Sequence, residues 1–383
     1  MNKFRGGGKI LIGAEAFIEV LSSSEINRAF IVCDPFLQKS GRISYITDML
    51  TANHVEYSVF ADITPDPSVE LVTEGVQVLS EFSPDLVIGF GGGSAIDAAK
   101  AMIYFSRRSG MVENVKLIAI PTTSGTGSEV TDFSVITDMK KAMKYPLVDE
   151  SLLPEIAVLD AELTVSVPKE ITAITGMDAL THAIEALVST NSTDFSDASA
   201  EKAIKLIRSY LLTAYKEPEN IEARQKMHSA SCLSGIAFNN AGLGLNHGMA
   251  HALGAKFHIP HGKANAVLLP YVMGFNAGCF DELKDNALLY ARIARLIRVD
   301  SQSVRQSALN LIRTVKKFSE RLDLPANIKS MGISEEEFKE ALDSMAEAAL
   351  NDKCTETNPR KCTVEDIKKI YTHAYFGAVG RSL

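Results

Sequence analysis

The pattern of hydrophobic and polar positions changes character near the middle of the chain. Through the first 165 residues, short apolar runs rich in β-branched residues stand between amphipathic stretches: Arg28-Ala29-Phe30-Ile31-Val32-Cys33-Asp34, Asp85-Leu86-Val87-Ile88-Gly89-Phe90 and Lys116-Leu117-Ile118-Ala119-Ile120-Pro121. Runs of this kind separated by helical patterns predict βαβ units and a parallel sheet buried on both faces. From about Pro168 onward, apolar residues recur at helical spacing through 169–216, 221–255, 281–322 and 334–350 with almost no alternating run, so the second half reads as all-helical. The expected organisation is an α/β domain over residues 1–165 and a helical domain over 166–383, joined at Ser166-Val167-Pro168-Lys169.

Length agrees with two domains, since 383 residues exceed the roughly 250–300 at which single cores stop growing. Thirty-nine Lys and Arg against 47 Asp and Glu leave a formal charge of −8, which supplies no electrostatic footprint for nucleic acid or an anionic membrane. The N-terminal apolar residues are interrupted by Glu15 and Glu19, unlike a signal peptide, and no run reaches the roughly 18 apolar residues of a membrane span. Five scattered cysteines without C-x-x-C spacing argue against a disulfide framework and against a thiolate zinc site; Cys354 and Cys362 read as reduced bystanders. The expected setting is a reducing cytoplasm and the expected partner a small molecule.

Two loops fit an anionic ligand. Gly91-Gly92-Gly93-Ser94 follows the strand at 85–90 and opens an Ala-rich helix running to about Arg107, so backbone N–H groups at a helix N-terminus face a position with no side chains in the way. The nucleotide binding this predicts is Rossmann-like in placement, although neither G-x-G-x-x-G nor G-K-[ST] is present. Thr122-Thr123-Ser124-Gly125-Thr126-Gly127-Ser128-Glu129 follows the next strand, where a parallel sheet offers its ligand crevice. Asp34, at the end of the strand at 28–34, can accept from an adenosine ribose and repel a 2′-phosphate, favouring NAD(H) over NADP(H); it can equally be a turn former.

Six of the eight histidines lie between residues 182 and 261. Asp178 and His182 are four apart, as are His247 and His251, so each pair shares one helix face; His258 and His261 fall on the loop beyond. Together they can converge on one divalent cation, and imidazole with carboxylate fits Fe(II) or Zn(II). Gly248 stands where a zinc protease would carry its glutamate, which disfavours a hydrolase.

Gly91-Gly92-Gly93-Ser94, the loop 121–129, Gly176 to Glu185, Gly244 to His251 and Pro260-His261-Gly262 resemble, in order, the signatures of the iron-dependent (group III) alcohol dehydrogenases. The segments Ile63-Thr64-Pro65-Asp66-Pro67, Lys144-Tyr145-Pro146-Leu147 and 239–244 look closest to the 1-propanol dehydrogenases of propanediol-utilisation microcompartments. The resemblance implies a metal in the cleft between two domains, with ligands at Asp178, His182, His247 and His261, and His251 assisting proton movement. It implies NAD(H) across Gly92, Gly93, Ser94, Thr122 and Thr123, with Asp34 at the ribose and Lys144 nearby. Phe133 and Phe238 become substrate-pocket walls, and His258 matches no ligand position. The implied reaction interconverts a short-chain primary alcohol and its aldehyde, propanal and 1-propanol first among them. The alternatives are a glycerol or 1,3-propanediol dehydrogenase-like enzyme and an idle nucleotide-binding scaffold subunit. A homodimer or larger homo-oligomer, a place inside a microcompartment and association with an aldehyde-producing enzyme are further expectations of the resemblance.

Overall fold

The computed structural model describes residues 4–22, 25–139, 143–279 and 281–377. The chain forms two compact units, Arg5–Val167 and Pro168–Leu383, the second including Phe4, whose ring packs on Phe195 at 5.2 Å.

The first unit runs β1 (Lys9–Ile12), α1 (Ala16–Ser22), β2 (Arg28–Val32), α2 (Pro35–Lys39), α3 (Ser44–Ala52), β3 (Glu56–Phe60), α4 (Val69–Phe82), β4 (Leu86–Gly91), α5 (Gly93–Arg108), β5 (Lys116–Pro121), β6 (Phe133–Asp138), β7 (Met143–Val148) and β8 (Ile156–Leu159). Six strands form one parallel sheet in the order β1-β8-β5-β4-β2-β3, while β6 and β7 form a separate antiparallel pair. Strand pleating explains the continuous apolar runs. Ala29, Ile31, Leu86, Ile88 and Phe90 enter a core with Phe17, Ile46 and Leu50, whereas Phe30, Val32 and Val87 enter another with Val72, Leu79, Ala98 and Met102. The order reverses at β2, which has β3 on one side and β4 on the other, so the carboxyl ends of β2 and β4 flank a topological switch point. Asp34 and the glycine loop lie there. The strand expected over 28–34 stops at Val32, because Asp34 turns to cap α2.

The second unit comprises α6 (Lys169–Val188), α7 (Asp194–Lys216), α8 (Ile221–Ala241), α9 (Leu245–Phe257), α10 (His261–Ala277), α11 (Ala287–Leu296), α12 (Val304–Glu320), α13 (Glu335–Leu350) and α14 (Val364–Phe376), with no strand among the described residues. Two helices escaped the periodicity reading. Helix α10 is buried almost all round, so it has no polar face to set a period, and α14 is a short C-terminal helix. Helix α6 is long and apolar enough to span a membrane by composition alone, but 89% of that window is buried inside the protein. It packs on α7, α8 and α10 as the core helix of the unit.

Candidate metal centre and nucleotide loops

One oxygen of Asp178 and one nitrogen each of His182, His247 and His261 lie within 4.8 Å of one another. Three helices supply them. Asp178 and His182 are one turn apart on α6, with His182 Nε2 3.9 Å from Asp178 Oδ2; His247 lies in the first turn of α9, its Nε2 4.0 Å from Asp178 Oδ1. His261, expected on a loop, instead opens α10, with Nε2 3.5 Å from Asp178 Oδ1. Pro260 precedes it with extended ψ, so the helix begins at the imidazole itself.

Two residues outside the expected set hold this cluster. Glu185, two turns along α6 from Asp178, accepts the backbone N–H of Asn246 on Oε1 at 2.8 Å, and its Oε2 pairs with His247 Nδ1. One carboxyl group thereby joins Asn358, whose Oδ1 accepts from Leu245 N at 3.2 Å, in satisfying the start of α9, and also fixes the His247 ring. Burial pushes the Glu185 carboxyl up, against the pull of the backbone N–H groups of Asn246, His247 and Gly244. Burial, reinforced by the neighbouring His182, His261 and His251, pushes His247 well below the ordinary imidazole value, so it stays neutral. Asn265, one turn along α10 from His261, places its Nδ2 2.7 Å from Asp178 Oδ1 and 3.1 Å from Nε2 of both His247 and His261. That nitrogen carries two protons and faces three acceptors, so the centre is richer in lone pairs than in protons. Three imidazoles and a carboxylate converging on such a point fit a divalent cation of borderline softness.

Of the other expected residues in this unit, Phe238 is buried on α8 with its ring 4.5 Å from that of His182. His251 stacks on His261 at 5.2 Å but directs Nδ1 to Asp352 Oδ2 at 2.8 Å, away from the four-donor cluster. His258 ends α9 in the left-handed conformation, a structural role.

In the first unit, the glycine loop and the threonine loop touch. Thr122 N donates to Gly91 O at 2.9 Å, and a Cβ on Gly93 would lie 2.8 Å from Thr126 Cγ2. Gly91 has a φ of +148°, which L side chains rarely adopt. Gly92 caps α5, a 16-residue helix, with extended backbone and no side-chain cap hydrogen bond. Asp34 takes the turn-forming role weighed for it: Oδ1 caps α2 by accepting from Phe36 N and Leu37 N at 2.9 and 3.1 Å, while Oδ2 lies beside Gly91. Phe133 is half-buried on β6. Lys144 is on β7 opposite Thr137, and its side chain lies outside the described residues.

Sequence reasoning passed over Lys100. Fully buried on α5, it donates from Nζ to Thr131 O, Thr131 Oγ1 and Phe133 O at 2.8, 2.9 and 3.0 Å. Three acceptors require an ammonium. Asp97, one turn earlier, accepts from Val135 N at 3.0 Å, so together they tie the helix behind the glycine loop to the chain leaving the threonine loop. Burial lowers Lys100 to about 8 and raises the neighbouring Glu129 to about 7. A lysine three residues along a helix from an aspartate is an ordinary surface pair in sequence, so spacing alone gives no sign of their burial.

Residues 8–161 match the family described as iron-containing alcohol dehydrogenase, and residues 172–375 match the C-terminal part of the Fe-containing alcohol dehydrogenase family. The chain is 46% identical over 355 residues to the 1-propanol dehydrogenase PduQ of Citrobacter freundii, covering 91% of this chain and 94% of that one. It is 42% identical to the NADPH-dependent butanol dehydrogenase of Clostridium saccharobutylicum, with 89% of each covered. Among solved structures, a 1,3-propanediol oxidoreductase superposes with a TM-score of 0.89 at 32% identity, covering 98% of this chain and all of the other. An alcohol dehydrogenase from Oenococcus oeni gives 0.90 at 34%, with the same coverage.

Proposed function

Since the chain belongs to the iron-containing alcohol dehydrogenase family and is an oxidoreductase acting on CH–OH groups, we propose that it reduces propanal to 1-propanol with NADH, and runs the reverse reaction with NAD⁺. The observation that carries this reading is the convergence of Asp178, His182, His247 and His261, supported by Glu185 and Asn265. These four would hold Fe(II), or Zn(II) in its place. When bound, the cation supplies Lewis acidity toward the carbonyl oxygen and the nicotinamide supplies hydride.

The residues of the chain orient these groups and move the proton. Glu185 holds the His247 ring so that Nε2 points inward, and Asn265 holds the Asp178 carboxylate in register with it. His251, partly exposed and tethered at Nδ1 by Asp352, takes the role of passing a proton between the substrate oxygen and solvent. Gly92, Gly93 and Ser94 at the start of α5 receive the pyrophosphate, with Thr122 and Thr123 beside it, Asp34 at the adenosine ribose and Lys144 nearby. Residues 1–165 would thus be the dinucleotide-binding domain and 166–383 the metal- and substrate-binding domain. Phe238, against His182, serves as an apolar wall for a short alkyl chain. Assembly as a homo-oligomer, a place in the cytoplasm inside a microcompartment and association with an enzyme that produces the aldehyde complete the proposal.

The test is NADH oxidation with C2–C4 aldehydes on anaerobically prepared protein, stripped of metal and reloaded with Fe(II) or Zn(II). Metal-dependent turnover fastest with propanal supports the reading. Turnover fastest with 3-hydroxypropanal moves the substrate to 1,3-propanediol. NADH binding without turnover under either metal makes the chain a scaffold subunit.

A further inference from the structure

A second group of ligating side chains stands next to the first, and its members are far apart in sequence. One ring nitrogen of His251, an oxygen of Asp352 and Cys354 Sγ lie within 4.8 Å of one another. We infer that His251, Asp352 and Cys354 form a second divalent-cation site, selective for zinc, and that zinc bound there inhibits turnover.

Local structure builds the group. Gly248 lets α9 approach the short 3₁₀ helix at Lys353–Thr357, since a Cβ on it would meet Thr355 Oγ1 at 2.3 Å and the carbonyl of Ala349 at 2.9 Å. Three residues further along α9, His251 therefore meets Asp352, with Nδ1 2.8 Å from Oδ2. Asp352 caps the 3₁₀ helix by accepting from Cys354 N on Oδ1 at 2.8 Å, and this turn sets the thiol beside the same carboxylate. The side chains of His251 and Asp352 are 39% and 22% exposed, so an ion can enter and keep a water as its fourth ligand.

The donor set decides the metal. Thiolate, imidazole and carboxylate match Zn(II) in preference to hard cations, and the Asp178 cluster, which has no sulfur, differs from it in this respect. Binding displaces the Cys354 thiol proton to water, and the His251 ring coordinates through Nδ1 as its neutral Nε2–H tautomer, giving up the Nδ1 proton held toward Asp352. A thiolate and a carboxylate then balance the two charges of the ion. The inhibitory consequence rests on the proposed role of His251: with Nδ1 coordinated, the imidazole is no longer tethered by Asp352 and no longer a proton carrier.

The site and its consequence are tested separately, on protein already loaded with one equivalent of Fe(II). Cobalt(II), a spectroscopic stand-in for zinc, is added anaerobically. A near-ultraviolet sulfur-to-cobalt charge-transfer band is expected, absent in Cys354→Ser and in Cys354→Ala and weakened in Asp352→Asn, with circular dichroism and iron content unchanged. No such band, or a band that persists in Cys354→Ser, overturns the site. Zinc added to the iron-loaded enzyme should suppress aldehyde reduction, with an inhibition constant raised at least about tenfold in Cys354→Ser. Inhibition equal in both proteins, with iron released, means exchange at the Asp178 cluster and overturns the inhibitory role. If the cobalt band forms but zinc leaves turnover unchanged, the site stands and its coupling to His251 chemistry falls.

Discussion

The candidate centre in Pro168–Leu383 is made of side chains, whereas the candidate nucleotide site in Arg5–Val167 is made largely of backbone. In the first, four donors arrive from α6, α9 and α10, and two of them have a neighbour that holds their angle: Glu185 for His247, Asn265 for Asp178. In the second, the candidate binding groups are the N–H groups of a glycine turn and a helix N-terminus, which the fold itself orients. The supporting residue there, Lys100, works one turn and more behind the loop, through main-chain oxygens of Thr131 and Phe133. A side-chain site fails when one donor is removed, whereas a backbone site fails when the framework carrying it shifts.

The largest effect should therefore follow removal of a donor. Asp178→Ala or His261→Ala is expected to lower turnover by about 10³-fold or more, because several kcal/mol of carbonyl polarisation is lost. NADH binding, followed by fluorescence, should stay within a few-fold of the parent. Parallel loss of NADH affinity would mean that the two sites are not separable as argued. Glu185→Gln sharpens the same point, with metal affinity falling about 10–100-fold in equilibrium dialysis while the protein remains folded.

Lys100→Met tests the opposite kind of site. It removes the ammonium from three oxygens and leaves Asp97 and Glu129 buried without it, so stability should fall by about 3–5 kcal/mol in urea titrations. Thr131→Val, which removes one acceptor and keeps the charge, should fold and still weaken NADH binding, leaving metal content untouched. Undiminished NADH affinity in Thr131→Val would make Lys100 a fold residue with no bearing on the loops.

Glu129 gives a smaller, pH-dependent signature. Burial raises its folded value to about 7 from an ordinary 4.5, against the charge of Lys100, which faces it. The folded state then holds a proton that the unfolded state has released, so stability falls as pH rises from about 4.5 to 7. Replacement by Gln should flatten that slope, the two proteins diverging by an amount on the order of 2–3 kcal/mol between those limits. Identical pH profiles for Glu129→Gln and the parent would show that the carboxyl is solvated in solution.

What could be read from the chain follows the same division. Asp178 with His182, and His247 with His251, were visible as i,i+4 pairs because a helix puts them on one face. The same rule grouped His251 with the first cluster, whereas in the fold it turns to Asp352, a residue 101 positions away. Helical spacing brings side chains to one face but does not say which partner across that face takes them. Cys354 read as a bystander for the same reason: its neighbours are assembled by the close approach that Gly248 allows, and no local spacing records that. The glycine run announced its turn, yet the spacing of Asp97 and Lys100 behind it carries no sign of their burial. Helix α10 was missed because burial on all sides erases the period by which helices are recognised.

The smallest expected effect concerns Asp34, where backbone and side-chain roles meet in one carboxylate. Its Oδ1 caps α2, and its Oδ2 lies beside Gly91, at the switch point where the adenosine ribose is proposed to sit. Substitution by Gly changes both roles at once, although Gly at a cap costs only a few tenths of a kcal/mol. Asp34→Asn separates them, since an amide oxygen caps as well as a carboxylate while the negative charge is lost. Stability should then stay within about 0.5 kcal/mol of the parent. The preference for NADH over NADPH should narrow, because a 2′-phosphate no longer meets an anion. If the cofactor ratio is unchanged in Asp34→Asn while the thermal midpoint holds, the carboxylate is a helix cap and nothing more, and discrimination between the two dinucleotides resides elsewhere on the loops.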